Sequence, residues 1–433
     1  MPDALRASGS SQSDALRASG SSQLTLKAAG LLDVDAGEIV RPGVLQIEGD
    51  RIVGVGADPQ GPENEVLDLG ERILLPGLMD MEVNLLMGGR GEKPGLSQVQ
   101  DDPPTRMLRA VGNARRTLRA GFTTVRNLGL FVKTGGYLLD VALGKAIDAG
   151  WIDGPRIVPA GHAITPTGGH LDPTMFAAFA PHVLDLTVEE GIANGIDEIR
   201  KAVRYQIKHG AELIKVCCSG GVMSLTGPPG AQHYSDEELR AIVDEAHRRG
   251  LRVAAHTHGA EAVMHAVEAG IDCIEHGFLI DDDAIAMMVE HGTFLVSTRR
   301  LAEGMDVSHA PPELQAKAAE MFPKSRTSIL AAYAAGVKIA VGTDAPAIPH
   351  GRNADELVTL VDWGLPPLAV LRAATVTAAE LINSPDRGRL APGQLADIIA
   401  VPGNPLEDIT VTRNVSFVMK GGKVYVDDTA NQN

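Results

Sequence analysis

Short apolar runs of strand length recur through the middle of the chain, near residues 73–83, 122–128, 155–160, 211–218, 251–256, 271–277, 293–298 and 336–343, with amphipathic stretches between them. The clearest amphipathic stretch runs from Ser235 to Arg249. Ser235 and Glu238 stand at capping-box spacing, and Gly250 offers a C-terminal stop. Eight apolar runs alternating with helices predict an α/β fold of the (β/α)8 TIM-like barrel type. The competing architecture, a doubly wound open sheet, is disfavoured because no GxGxxG or P-loop follows a strand. The two ends of the chain read differently. Residues 24–27, 43–47 and 51–55, and again 397–401, 415–419 and 423–426, are strand-like and separated by turn signals such as Gly49-Asp50 and Gly421-Gly422. These end segments are expected to pair into one small β-sandwich. The resulting division is a flexible duplicated tail at 1–23, a sandwich from 24–72 plus 388–433, and a barrel over 73–387.

Composition narrows the picture. With 433 residues, 44% apolar and 22% charged, the chain can bury a full core, and with only 3% aromatics that core must be aliphatic. A formal charge of −16 argues against nucleic acid as a partner, since phosphate contacts need clustered Lys and Arg. No apolar run reaches the roughly 18 residues of a membrane span. The three cysteines, Cys217, Cys218 and Cys273, are too few for a disulfide framework and fit a reducing cytoplasm. The N-terminus lacks the basic and apolar regions of a secretory signal. The decamer at residues 3–12 recurs identically at 14–23, and its Ser, Gly and Ala content reads as a flexible tail rather than a solenoid.

Chemistry in a barrel of this kind sits at the C-terminal ends of the strands. Lys215 lies inside the fourth apolar run, where a buried ammonium must be paired or neutralised. It is either ion-paired with an acidic neighbour or converted by carbon dioxide to a carbamate able to bridge two metals. His256 and His258 share a face of the fifth run, and His276 closes the sixth. One histidine in an apolar strand is usually a hydrogen-bonded core residue, but histidines ending successive strands suggest metal ligands. Asp344 closes the eighth run, as a helix cap or as a metal ligand and proton acceptor. His162, His170 and His350 follow strand ends on loops above the same face.

Eight motifs in order, LLPGLMDM (74–81), GFTTVRNLG (121–129), TPTGGH (165–170), LIKVCCSGG (213–221), VAAHTHG (253–259), CIEHG (273–277), VGTDAPAIPHG (341–351) and LAPGQLADIIAVPGNPLEDI (390–409), resemble the amidohydrolase superfamily. The resemblance is to the branch with imidazolonepropionase-like proteins, Xaa-Pro dipeptidase-like carboxypeptidases and ochratoxin-hydrolysing amidohydrolases. It implies a metal-dependent hydrolase of peptide-like, N-acyl amino acid or ochratoxin-type amides, acting through a metal-bound hydroxide. It also implies zinc as cofactor, one or two ions per chain, with a carboxylated Lys215 as bridging ligand. His256 and His276 would hold one ion. Asp344 would bind the other and shuttle the proton. His170, His350 and His258 would contact substrate. Apart from the resemblance, Arg126 is a structural ion-pair partner first and, as the alternative, a partner for a substrate carboxylate, which a guanidinium fork fits well. The resemblance implies a homo-oligomer acting on a small-molecule amide or dipeptide, while the charge and the short apolar runs argue for no nucleic acid and no membrane partner. Alternatives are a cyclic-amide hydrolase or deaminase, and a catalytically impaired binder that has kept its pocket.

The family pattern breaks at one place. Its first strand carries His-x-His, where this chain has Glu82-Val83-Asn84. A carboxylate and a neutral amide oxygen are harder and, for the amide, weaker ligands than imidazole. The expectation is therefore a weakened first metal position, with activity carried by the ion on His256 and His276.

Overall fold

The computed structural model describes residues 23–56, 65–88, 94–175, 179, 180, 182–224 and 227–428, so the repeated decamer lies outside the described residues apart from Gln23. Leu24–Ala28, Gly43–Glu48, Arg51–Val55 and Glu65–Asp68 form a four-stranded sheet. A six-stranded sheet takes Gly30–Asp33, Glu38–Val40 and Ile73–Pro76 from one end of the chain and Ile398–Val401, Phe417–Lys420 and Lys423–Asp427 from the other. Leu26, Leu45, Ile47 and Ile52 of the first sheet and Leu31, Leu74, Ile398, Ala400 and Phe417 of the second form one buried cluster. Strand alternation supplies both inner faces of this sandwich.

The apolar run at 73–83 is not one barrel strand. Ile73–Pro76 belongs to the six-stranded sheet, antiparallel to Ile398–Val401, and Leu78–Val83 begins the barrel. Gly77 makes the change possible. Its amide donates to the Asp397 carbonyl at 2.8 Å, and a Cβ there would meet Thr123 Oγ1 at 2.2 Å. Only glycine fits so close an approach.

The barrel strands are Leu78–Val83, Phe122–Asn127, Arg156–Pro159, Ile214–Cys217, Val253–Gly259, Cys273–Leu279, Phe294–Val296 and Ile339–Ala340, all paired in parallel within a three-stranded and a five-stranded sheet. Backbone hydrogen bonds join the two sheets at both seams. On one side the Ile164 amide donates to Lys215 O at 2.8 Å and Cys217 to Ile164 O at 2.9 Å. On the other, Met81 donates to Val341 O at 2.8 Å and Asp344 to Glu82 O at 2.8 Å. Each strand is followed by a helix on the outside. The helix after the fourth strand, Asp236–His247, starts at Ser235 with the capping box reciprocated by Glu238, as the spacing predicts. Met79, Met81, Ala254, Cys273, Val296 and Ala340 form a cluster in which large side chains of one strand meet small ones of another. That answers how a core with so few aromatics fills its volume.

Glu356, on the helix Ala354–Trp363, is fully buried and accepts from the Arg299 amide at 2.7 Å and the Arg300 amide at 2.6 Å. It thereby pins the chain just past the seventh strand. Burial pushes its carboxyl up from 4.5 to about 7, against hydrogen bonds that favour the charged form. The unfolded chain gives up this proton near pH 4.5 and the folded chain near pH 7. Within that window the folded state holds the extra proton, so this group's contribution to stability falls as pH rises, by on the order of 3 kcal/mol. Denaturant titrations across this window should show a shallower fall in Glu356→Gln than in wild type; parallel curves would exclude Glu356 as the source.

Candidate active site

The C-terminal ends of the barrel strands open into a cavity of about 380 Å³. Its polar lining is Glu82, Asn84, His170, Lys215, His256, His276, Asp306 and Asp344, and its apolar lining includes Met87, Phe131, Met175, Met223, Met305 and Val307. The first, fourth, fifth, sixth and eighth strands thus each send a side chain, or the residue just past their end, to one point. A wider depression of about 560 Å³, lined by Thr377, Glu380, Asn383, Ser384 and Arg389, shares none of these groups.

Lys215 is buried, and its Nζ lies 3.2 Å from Glu82 Oε1. The same oxygen is 3.6 Å from His276 Nε2, while Glu82 Oε2 has no hydrogen-bond partner among the described residues. Burial works against both charges of the pair, pushing the Glu82 carboxyl up and the Lys215 ammonium down. The Glu82 and Glu275 carboxylates more than offset that on Lys215, which stays above the usual lysine range. Beneath it, Arg126 donates to Glu275 Oε1 at 2.8 Å and to the Met81 carbonyl at 2.7 Å, with Cys273 Sγ at 3.1 Å.

The histidines form a packed group. His256 stacks on His170 with ring centroids 3.9 Å apart and meets His276 edge-on at 4.6 Å. His258 stacks on His276 at 5.1 Å. His276 Nδ1 is held by Thr298 Oγ1 at 2.8 Å and His170 Nδ1 by Ser224 Oγ at 2.7 Å. His256 Nε2 and His258 Nδ1 are buried without partners among the described residues. Burial, followed by the neighbouring cations and imidazoles, holds His170, His256 and His276 well below the usual histidine range and His258 at about 3. All are therefore neutral imidazoles at pH 7, the form that ligates metals. One ligand atom from each of His256, His258 and His276 lies within 4.8 Å of the others. Buried imidazole nitrogens with no protein partner are what a divalent ion satisfies, so this donor set fits a metal.

Asp344 lines the same cavity beside Glu82, with burial pushing its carboxyl up to about 7, Lys215 opposing, and Asp80 and Glu275 adding to the rise. His276 (φ 70°) within the sixth strand, Thr298 (φ 50°) after the seventh and Asp344 (φ 53°) after the eighth all sit in the left-handed region. Such conformations cost roughly 1–3 kcal/mol each and persist where the surroundings over-determine them.

Four further candidates from the sequence have protein partners of their own. Asn84 lines the cavity, but its amide is spent on the backbone: Nδ2 donates to Gly129 O at 3.2 Å, and Oδ1 accepts from the Leu86 amide at 3.3 Å. Arg126 does not line the cavity, because its guanidinium is locked in the ion pair with Glu275 inside the barrel. His350 does not line the cavity; its Nε2 is 3.1 Å from the carbonyl of Met87, which does. His162 likewise sits buried against Thr134 Oγ1 at 2.8 Å.

Sequence reasoning missed Asp80, Thr298 and Ser224. Thr298 is legible as the polar residue at the end of the seventh apolar run. Asp80 stands inside an apolar strand, which flags it as a buried polar group needing partners. No sequence signal marks Ser224.

The Amidohydrolase family profile matches residues 73–425. The chain is 35% identical to the ochratoxinase of Aspergillus niger over 429 residues, covering 93% of this chain and 86% of the relative. The structure superposes on a Xaa-Pro dipeptidase with bound methionine in the active site at a TM-score of 0.86 and 35% identity, covering 94% of this chain and 100% of the other. A prolidase complexed with N-methylphosphonate-L-proline gives 0.84 and 33%, with the same coverage.

Asp80 is buried and accepts four hydrogen bonds: from Glu82 N (3.1 Å), Thr343 N (3.0 Å), Thr343 Oγ1 (2.6 Å) and Asn353 Nδ2 (2.7 Å). Asp80→Ala would leave these donors unpaired at roughly 1–3 kcal/mol each, partly relieved by water. The expected loss in denaturant unfolding is on the order of 3 kcal/mol or more. A loss below about 1 kcal/mol, within the range of an ordinary surface change, would contradict the role given to Asp80.

Proposed function

The chain belongs to the amidohydrolase family and is an amide-bond hydrolase, and on that premise we propose that its substrates are small amides carrying a carboxylate: dipeptides, N-acyl amino acids or ochratoxin-type amides. The observation that carries the proposal is the pairing of buried, unpartnered imidazole nitrogen with a carboxylic acid in one cavity. His256 and His276 would hold the ion, zinc in this proposal, and Asp344 lines the same cavity. When bound, such an ion polarises the scissile carbonyl and acidifies water.

The remaining chemistry falls to the chain's own residues. With its carboxyl pushed up to about 7, Asp344 can accept a proton from the attacking water and return it to the departing amine. Thr298 fixes the His276 ring through Nδ1, leaving Nε2 for the site. His170, fixed by Ser224, offers a polar contact to bound substrate. Met87, Met175, Met223, Met305 and Phe131 form an apolar wall that adapts to the substrate side chain and excludes water. A carboxylated Lys215 would add a further carboxylate to the ion's surroundings, in competition with the ion pair to Glu82.

The same reading includes a homo-oligomer and a reducing, cytoplasmic setting, the latter supported by three free, buried cysteines. No helix among the described residues is long and apolar enough to cross a membrane. A second reading, a binder with impaired catalysis, is favoured by one observation: Asn84 is tied to the backbone and Glu82 to Lys215.

A panel of N-acyl aromatic and prolyl amino acids, assayed with and without added zinc, separates the two. Saturable hydrolysis abolished by a chelator and restored by zinc is expected. Saturable binding with no turnover under any metal would sink the hydrolase proposal. Asp344→Asn should lower kcat/KM by about 10²- to 10⁴-fold while the protein stays folded. Retention of wild-type rates would remove Asp344 from the proton path.

A further inference from the structure

The resemblance that identifies the family also implies a carbamate on Lys215, shared between two ions. The side chains around Lys215 argue against one. Glu82 already presents a carboxylate there, with Oε1 3.2 Å from Nζ and 3.6 Å from His276 Nε2. A carbamate on Nζ would press a second carboxylate against the first where both are buried, and it would abolish the cation that pairs with Glu82. Arg126 cannot take over that pairing, because its guanidinium is engaged by Glu275 and by the Met81 carbonyl. The other first-strand position is closed too, since both ends of the Asn84 amide are bonded to backbone. One side of the cavity therefore holds a carboxylate tied to a lysine and an amide tied to the chain.

On the other side His256 and His276 line the cavity, and His258 stands beside them without lining it. His256 Nε2 and His258 Nδ1 are buried and unpartnered among the described residues, and Thr298 holds His276 Nδ1 so that Nε2 is the nitrogen left. One ligand atom from each of the three rings lies within 4.8 Å of the others. Ligand nitrogens about 2.0–2.1 Å from a tetrahedral ion stand roughly 3.4 Å apart, so small ring rotations close the set. His258 is well placed to serve. The fifth strand extends through it to Gly259, its amide donates to Ser219 Oγ at 3.0 Å, and its ring lies nearly parallel to that of His276, at 16°. His170 stacks on His256, but its Nδ1 is bonded to Ser224 and it lies outside the group.

We propose that Lys215 remains an unmodified amine tied to Glu82, and that a single divalent ion is held by His256, His258 and His276, with His258 in the ligand place a carbamate would otherwise fill. The proposal rests on the metal-dependent hydrolase reading above and deepens it. The chain's break with the family's first-strand pattern thus has a consequence for histidines that keep the family pattern. Glu82 neutralises the lysine, and the second histidine of the fifth strand completes the remaining site.

The test uses full-length protein, stripped of metal by dialysis against a chelator and reloaded with zinc with and without bicarbonate. Zinc per chain is counted by plasma mass spectrometry, and a parallel sample in ¹³C-bicarbonate is examined by ¹³C NMR for a carbamate carbonyl. The expected result is one zinc per chain in both conditions and no carbamate resonance. His258→Asn should weaken zinc binding by at least about tenfold in competition with a chromophoric chelator, with circular dichroism confirming the fold. Two zinc ions per wild-type chain, uptake that depends on bicarbonate, a carbamate signal, or unchanged zinc affinity in a folded His258→Asn would each overturn the proposal. The wild-type counts stand even if that variant does not fold. They are also independent of turnover: a chain with one zinc and no amide hydrolysis would defeat the functional reading and leave this one intact.

Discussion

Closure of the barrel between its first and last strands is the constraint on which the site depends. The Met81 amide reaches the Val341 carbonyl and the Asp344 amide reaches the Glu82 carbonyl. Asp80 ties the same seam from the side, holding Thr343 and Asn353. These bonds bring Glu82 and Asp344, 262 positions apart in the chain, to one rim with Lys215, His256 and His276. A barrel with an open seam would keep its helices and most of its strands but would have no such cavity.

Burial then sets the chemistry. On Glu82, His170, Lys215, His256, His276 and Asp344 desolvation is the largest influence, and it works on acids and bases alike toward their neutral forms. The histidines obey and become neutral ligands. Lys215 resists because carboxylates surround it. One environment thus yields opposite outcomes on neighbouring residues: Lys215 has two carboxylates acting on it, whereas Glu82, though it faces Lys215, is still pushed up by burial with Glu275 and Asp344 adding to the rise. The left-handed backbone at His276, Thr298 and Asp344 carries a cost of the same kind, stored where the side chains must point inward.

Much of the architecture was readable from pattern. The eight apolar runs overlay the eight barrel strands, and the Ser235 to Glu238 spacing gave the cap of its helix. The ends of the chain share a sheet, as their strand-like composition suggested. The run at 73–83 misled because apolar periodicity cannot tell one strand from two joined through a glycine. The break at Gly77 depends on Thr123 and Asp397, distant in sequence. Among site residues, Lys215, His256, His276, His170 and Asp344 converge, while Arg126 and His350 find partners elsewhere.

The sequence by itself determined the strand and helix periodicities, the family, and the residue types available at each strand end, because these follow from local spacing and order. It also announced the departure at Glu82 and Asn84. Only the tertiary structure decided what that departure means. The partner of a buried charge is set by through-space distance, not by spacing along the chain. Folding places Glu82 against Lys215, 133 residues away, and closes the Asn84 amide onto Gly129 and Leu86. It also leaves the imidazole nitrogens of His256 and His258 buried and without a protein partner among the described residues.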